Sequence, residues 1–172
     1  SELFSGCSGL SNLDLSKFDT SSVISMNSMF NECNNVQNIN LGNSFQTSTV
    51  ENMGNMFSEC SSLKSISISS FSTIKVKPMS KMFKNCKNLK KIDVSNFDNK
   101  EVKDLSEMFS GCNGLTSLIL SDKFTSTLIT NMKDLFSDCS GLTNINLSGF
   151  KTSYVTDMSG MFKGCSSLSN IN

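Results

Sequence analysis

Residues 129–154 read ITNMKDLFSDCSGLTNINLSGFKTSY, and the same arrangement of apolar side chains returns along the whole chain. One unit is V-x-x-M-x-x-M-F-x-x-C-x-x-L-x-x-I-x-L-S-x-F-x-T-S-x. Consecutive cysteines are 26 or 27 residues apart, and a Phe stands three residues before each of them. The seven cysteines are Cys7, Cys33, Cys60, Cys86, Cys112, Cys139 and Cys165. Self-similarity at a fixed period of this length predicts a solenoid of stacked repeats.

Each unit has two halves with different periodicity. Val155, Met158, Phe162 and Cys165 are three, four and three residues apart, which is the apolar stripe of a short helix. The residue directly before Cys is Gly or Asn in four units, which suits a left-handed residue at a helix end, although it is Glu or Asp in the other three. The second half, such as LTNINL at residues 142–147, alternates as a short strand does.

One unit cannot bury its apolar face alone, so neighbouring units must stack. Parallel strands stack about 4.8 Å apart, whereas packed helices prefer about 8–10 Å. This mismatch predicts an α/β, leucine-rich-repeat-like solenoid that bends into a right-handed arc. Short parallel strands would line its concave side and short helices its convex side. The extra residue of the two 27-residue coils falls in turns at 42–44 and 121–123, where an insertion leaves both patterns intact.

The repeat occupies the whole of residues 1–172 as a single array of about six and a half coils of 26–27 residues. Solenoid ends usually carry polar capping repeats, and neither end here has one. We therefore expect an excerpt of a longer protein, whose uncapped ends can self-associate.

The repeat resembles a known family. The run M-F-x-x-C-x-x-L-x-x-I-x-L is similar to the leucine-rich-repeat core. The segments 109–112 (FSGC) and 18–21 (FDTS) match the BspA-like branch of bacterial surface proteins, in the 26-residue version found in mycoplasma-type surface lipoproteins. The resemblance implies a secreted or surface-anchored protein with its signal or anchor outside this segment, and a role in adhesion through protein–protein interaction. It carries no catalytic residues.

Composition narrows the functional classes. The 15 acidic residues balance 15 basic ones, which are all Lys, so nothing draws the chain toward nucleic acid. The absence of His removes the commonest general base and metal ligand. No apolar run reaches the roughly 18 residues of a membrane span, so we expect no membrane insertion by this segment. We predict no catalytic residue, cofactor or metal site.

The cysteines allow three interpretations. An odd number of uniformly spaced thiols disfavours disulfides, because parallel Cβ vectors in a ladder do not give the required dihedral angle. A zinc site would need C-x-x-C pairs or His, and the chain has neither. We expect a buried ladder of free thiols that act as small hydrophobic side chains.

Candidate binding residues are those that differ between coils. The outward strand positions, five and seven residues after each Cys, are mostly Asn, Ser and Asp, and could hydrogen-bond a protein or a glycan or simply face solvent. Nine of the 15 Lys lie between positions 75 and 103, which predicts a basic band for an anionic glycan or acidic protein. The candidates are Lys84, Lys87, Lys90, Lys91, Asp93, Ser117 and the apolar Ile119.

A column of Thr follows the second Phe of each unit, at positions 20, 47, 73 and 152, with Asn99 and Ser126 interrupting it. Hydroxyls in turns usually bind the backbone, although an exposed ladder of the ice-binding kind was the alternative. For function, we expect a non-catalytic surface module for interaction or adhesion, and as the alternative a structural spacer that projects another domain.

Overall fold

The computed structural model describes residues 2–125 and 128–172. Within them, six short strands pair in parallel as β1–β2, β3–β4 and β5–β6. The strands are β1 (Asn12–Asp14), β2 (Asn38–Asn40), β3 (Lys91–Val94), β4 (Ser117–Leu120), β5 (Asn144–Ile145) and β6 (Asn170–Ile171). Each residue pairs with the one 26 positions later, as Asn12 does with Asn38. The repeat solenoid with stacked parallel strands is therefore confirmed. We number the coils 1 to 7 by the Cys that each contains.

The predicted helices are wrong, because no helix forms among the described residues. Around Phe30, alternate N–H groups donate to the next coil. Ser28, Phe30 and Glu32 each reach a carbonyl oxygen 26 residues later, at 2.9 Å. The N–H groups in between, of Met29 and Asn31, close turns onto residues three positions earlier. We call this side of the solenoid, from the first Met column to the Cys of each coil, the turn face.

The left-handed residues explain why the turn face is not helical. The residues two before and two after each Phe of this column have φ between +52° and +73° in all seven coils. A reversal of backbone hand every fourth residue breaks a helix but keeps the apolar spacing. The left-handed position before Cys is confirmed, and it includes Glu32, Glu59 and Asp138, which had weakened that prediction.

The reason for the predicted curvature is also absent. Backbone hydrogen bonds join neighbouring coils on the turn face as well as between strands, so both sides have similar spacing. The rings of the first Phe column stack with centroids 5.2–5.8 Å apart and interplanar angles of 1–17°. We therefore name the opposite side the strand face, meaning the outward side chains five and seven residues after each Cys.

The Thr column is buried and joins neighbouring coils. The hydroxyl of Thr20 accepts the N–H of Gln46 and donates to its carbonyl oxygen, both at 2.7 Å. Asn99 is fully buried, and its amide donates to the Phe124 carbonyl oxygen at 2.8 Å. In the fifth coil Thr125 takes this role, while Ser126, which we had placed in the column, lies outside the described residues. The backbone interpretation of these hydroxyls is confirmed, and the exposed ladder is wrong.

Candidate binding surface

The strand face presents exposed polar side chains in rows. Asn38 donates to Asn12 at 2.9 Å, and Asn40 donates to Asp14 at 3.1 Å. Part of this face stabilises the turns that follow the strands, because the Asp14 carboxylate also accepts the N–H of Ser16 at 2.9 Å. The row five residues after Cys is freer than the row seven residues after it.

Asp93 belongs to the second row and has the same structural role. Its carboxylate accepts the N–H of Ser95 at 3.0 Å. Hydrogen bonds from the side chain and backbone of Ser95 hold the pKa of Asp93 below its ordinary value, with a smaller contribution from the charge of Lys91. Asp93 is therefore an ionised turn-forming residue on the strand face.

Two clefts interrupt the strand face. The first, which we call the Lys91 cleft, lies between coils 3 and 4 and has a volume of about 350 Å³. It is lined by residues 65–69 and by Lys91, Asp93, Ser95 and Asn96. The second, the Ile119 cleft, lies between coils 5 and 6 and has a volume of about 430 Å³. It is lined by residues 118–122 and by Asn146, Ser148, Gly149 and Phe150.

Each cleft is a wedge between coils that stay joined on the turn face. Among the described residues, no backbone hydrogen bond crosses either cleft at the level of the strands. On the turn face, the N–H of Phe57 still reaches the Met82 carbonyl oxygen at 2.8 Å, and the N–H of Phe109 reaches Leu135 at 3.0 Å. The coils therefore separate on one side only, which leaves main-chain donors and acceptors of the strand segments without strand partners.

The clefts also uncover side chains of the apolar strand column. Ile92 and Ile145 are 1% and 2% exposed, whereas Ile66 and Leu118, in the same column, are only half-buried. Each cleft therefore has an apolar wall beneath its polar rim. Small sites of a few hundred Å³ with this composition are typical binding sites.

The 27-residue coils account for two of the breaks in strand pairing. Coils 2 and 5 carry their extra residue just after β2 and β4, and each of these strands pairs with the preceding coil but not with the following one. The break between coils 3 and 4 follows no insertion. There the side-chain amide of Asn96 donates to the carbonyl oxygens of Ile68 and Phe71, at 3.1 and 2.7 Å. Sequence reasoning missed all three breaks, although the coil lengths were the signal for two of them.

The structure divides the predicted basic band between faces. Lys84 lies on the turn face, where its Nζ is 2.6 Å from the Glu107 carboxylate, and Lys81 is 3.5 Å from the same group. Burial opposes ionisation of Glu107, but the hydrogen bond and charge of Lys84, with that of Lys81, outweigh it and lower its pKa. Lys77 pairs with Glu51 at 3.0 Å. These cations are partly neutralised.

The remaining candidates lie at the strands. Lys87, Lys90 and Lys91 are exposed and have no ion pair within the described residues. Ser117 is half-buried and stands opposite Lys91 in the β3–β4 register. Ile119 stands opposite Asp93, is 39% exposed and lines the other cleft. Lys91 and Asp93 thus share one cleft, while Ile119 belongs to the second.

The cysteines form the predicted ladder of thiols. Five are buried, and Cys7 and Cys165 in the end coils are half-buried. Burial raises the pKa of Cys112 to about 12, and burial with the neighbouring Cys33 raises that of Cys60 to about 12. Thiols that stay protonated in this way are poor nucleophiles. Within the described part of the chain, no group of three His, Cys, Asp or Glu could hold a metal ion.

The described residues include no helix that is long and apolar enough to span a membrane.

Comparison with solved structures places the fold among leucine-rich-repeat proteins. A leucine-rich repeat protein from Bacteroides ovatus ATCC 8483 is 25% identical, with a TM-score of 0.54 over 99% of this chain and 44% of that one. A leucine-rich repeat protein from Eubacterium ventriosum ATCC 27560 is 20% identical, with a TM-score of 0.51 over 93% of this chain and 44% of that one. This chain therefore spans less than half the length of either protein.

The chain belongs to the family described as "Mycoplasma protein of unknown function, DUF285", whose model matches residues 1–121 and 88–172. No curated protein matches the chain. The family and the solved structures confirm the resemblance to leucine-rich-repeat proteins of the BspA-like type.

Proposed function

We propose that the array is a non-catalytic interaction module displayed outside the cell, which binds a partner protein through its strand face. The observation that carries this proposal is the contrast between its two faces. The turn face uses alternate N–H groups to join the coils, whereas the strand face presents exposed Asn, Ser and Lys side chains and two open clefts. A leucine-rich-repeat fold is typical of interaction or surface modules, and the family resemblance supports an extracellular, anchored location.

The chemistry of the side chains supports a binding role over catalysis. An activated nucleophile needs a lowered pKa or an adjacent base. Burial instead raises the pKa of the central thiols, as at Cys60 and Cys112. The carboxylates of Asp14 and Asp93 are held by the turns that follow their strands.

A binding panel tests the proposal directly. The array is immobilised and exposed to purified extracellular matrix proteins and to a glycan array. We expect one or more proteins to be retained, and Asn38→Arg with Ser117→Arg to remove that binding by placing bulk on the strand face. The matched control is Ser5→Arg with Ser166→Arg, at exposed positions off the strand face. Retention of glycans alone, or equal loss in both variants, would contradict the proposal.

One observation favours the alternative role as a spacer. The turn-face ladder of hydrogen bonds and the stacked Phe column continue from the first coil to the last, which suits a stiff stalk. If the array retains no partner, and both arginine variants leave adhesion of the intact cell surface unchanged, the spacer role is supported instead.

A further inference from the structure

We propose that the Lys91 cleft binds an acidic peptide segment in an extended conformation, inserted between coils 3 and 4. This inference rests on the proposed function, because it names the partner chemistry of the same strand face. The cleft combines unpaired strand edges, an apolar wall and a set of unpaired cations.

The strand edges supply the main-chain complement. Where coils pair, a strand-end N–H donates to the next coil, as Leu147 does to the Asn172 carbonyl oxygen at 2.6 Å and Leu15 to Asn40 at 2.7 Å. The equivalent groups at the Lys91 cleft are the N–H of Ile68 and the carbonyl of Asp93, and no hydrogen bond joins them. Unpaired edges of this kind bind an added strand through its main chain.

The walls supply two environments for alternate side chains. A bound strand points successive side chains to opposite sides. One set meets the half-buried Ile66, and the other meets the polar rim that carries Lys91. An alternating sequence of apolar and acidic residues matches this arrangement.

The charge around the cleft selects an acidic segment. Lys91 lines the cleft, and Lys64, Lys87 and Lys90 stand at the end where its strand segments begin. None of these four has a carboxylate within ion-pair distance among the described residues, and Lys64 binds only the Gln37 amide oxygen, at 2.8 Å. Asp93 is the one acidic residue of the lining, and its carboxylate is committed to Ser95. The rim therefore carries an excess of positive charge that an acidic peptide would neutralise.

The Ile119 cleft is an internal control. It has the same wedge shape and unpaired edges, but its lining contains Asp122 and no Lys. If unpaired edges alone determined binding, both clefts would take the same peptide. If charge selects, the acidic peptide should occupy the Lys91 cleft alone.

The test is a titration of the isotope-labelled array with a capped synthetic peptide of about six residues, the usual strand length, which alternates Glu with Val. We expect amide shifts to concentrate at residues 65–69 and 91–96, and binding to weaken strongly in roughly 1 M salt. A peptide with Lys for Glu should not bind. A peptide N-methylated at alternate residues keeps the charge but cannot pair its main chain, and it should lose most of the affinity.

Charge reversal in the array provides the second arm. Lys90→Glu with Lys91→Glu should weaken binding of the acidic peptide at least about tenfold, as expected for several lost charge contacts. Lys123→Glu with Lys151→Glu changes the net charge equally away from this cleft and should leave the affinity unchanged. Circular dichroism and the thermal midpoint of both variants establish that each is folded.

Three outcomes would overturn the inference. Equal binding of the N-methylated peptide would mean that charge alone attracts it, and shifts centred on the Ile119 cleft would place the peptide elsewhere. Absence of peptide binding, in an array that retains a matrix protein sensitive to strand-face substitution, would overturn this inference and leave the proposed function standing.

Discussion

The thiol of Cys86 donates a hydrogen bond to the carbonyl oxygen of Phe57, one coil earlier, with the sulfur 3.2 Å from the oxygen. The same contact joins the other neighbouring coils at 3.0–3.2 Å. The Phe57 carbonyl also accepts the N–H of Cys60 in its own coil, at 3.2 Å. The Cys column therefore bonds successive coils to each other as well as filling the core.

This role predicts an unusual order of stability for Cys86 variants. Cys86→Ala removes a donor and leaves a small cavity, so it should lower the free energy of unfolding by about 1–3 kcal/mol. Cys86→Ser keeps a donor and should cost less than Ala. Urea denaturation of the two variants measures the difference. A purely hydrophobic cysteine would give the opposite order, with Ala tolerated better than Ser.

The protonated state of the buried thiols predicts how stability depends on pH. Burial raises the pKa of Cys112 from 9.0 to about 12, whereas the unfolded chain ionises near the lower value. Between these values the unfolded state has released protons that the folded state retains, so stability must fall as pH rises. We expect the free energy of unfolding to be constant below about pH 8 and to fall above about pH 9. A stability that rises or stays flat up to pH 11 would contradict buried, protonated thiols.

Thiol labelling tests the burial of each cysteine separately. In the native array an alkylating reagent should reach Cys7 and Cys165 first, because both are half-buried in the end coils. The other five should react only after unfolding. Peptide mass spectrometry after a short labelling pulse identifies the modified residues. Rapid labelling of Cys86 under native conditions would rule out the buried ladder.

The left-handed column predicts a coupled pair of variants. Gly111 has φ of +73°, and a Cβ there would overlap the side-chain oxygen of Asn85 in the coil below. Gly111→Ala should therefore destabilise the array by about 2 kcal/mol or more, of which roughly 1 kcal/mol is the left-handed backbone. Adding Asn85→Gly removes the overlap and should recover part of the loss. Gly9→Ala, where a Cβ meets nothing within 4 Å, is the matched control and should change stability little.

The insertion in coil 2 provides a test of what breaks the strand pairing. Deleting Asn43 converts this coil to 26 residues, so β2 should then pair with coil 3 as β1 pairs with β2. The N–H of Leu41 should become protected from hydrogen exchange by about tenfold or more. Unchanged exchange at Leu41 would show that coil 3 itself, and not the insertion, prevents pairing.

Periodicity alone predicted the coils and the strands, because a buried column must recur wherever units stack. Each named strand lies where alternation indicated one, as Lys91–Val94 does. The helix prediction failed for a physical reason. The three-four-three spacing of Val155, Met158, Phe162 and Cys165 fits a helix, but it fits equally a chain whose backbone hand reverses every fourth residue. The sequence does not show whether an N–H group bonds within its coil or to the next one.

The candidate site was predictable in its residues but not in its shape. Lys91, Asp93 and Ser117 lie on the strand face as their alternation indicated, and Ile119 is exposed among them. Lys84 does not join them, because it pairs with Glu107 on the turn face. The clefts depend on how far neighbouring coils separate, which follows from the insertions and from the amide of Asn96. A residue pattern read one coil at a time does not contain that information.

The most direct test of the central claim is a hydrogen-exchange footprint of the array bound to a matrix protein that it retains. Binding through the strand face predicts slower exchange at residues 65–69 and 91–96, with residues 81–85 of the turn face unchanged. Slower exchange on the turn face, with the strand face unaffected, would contradict the account.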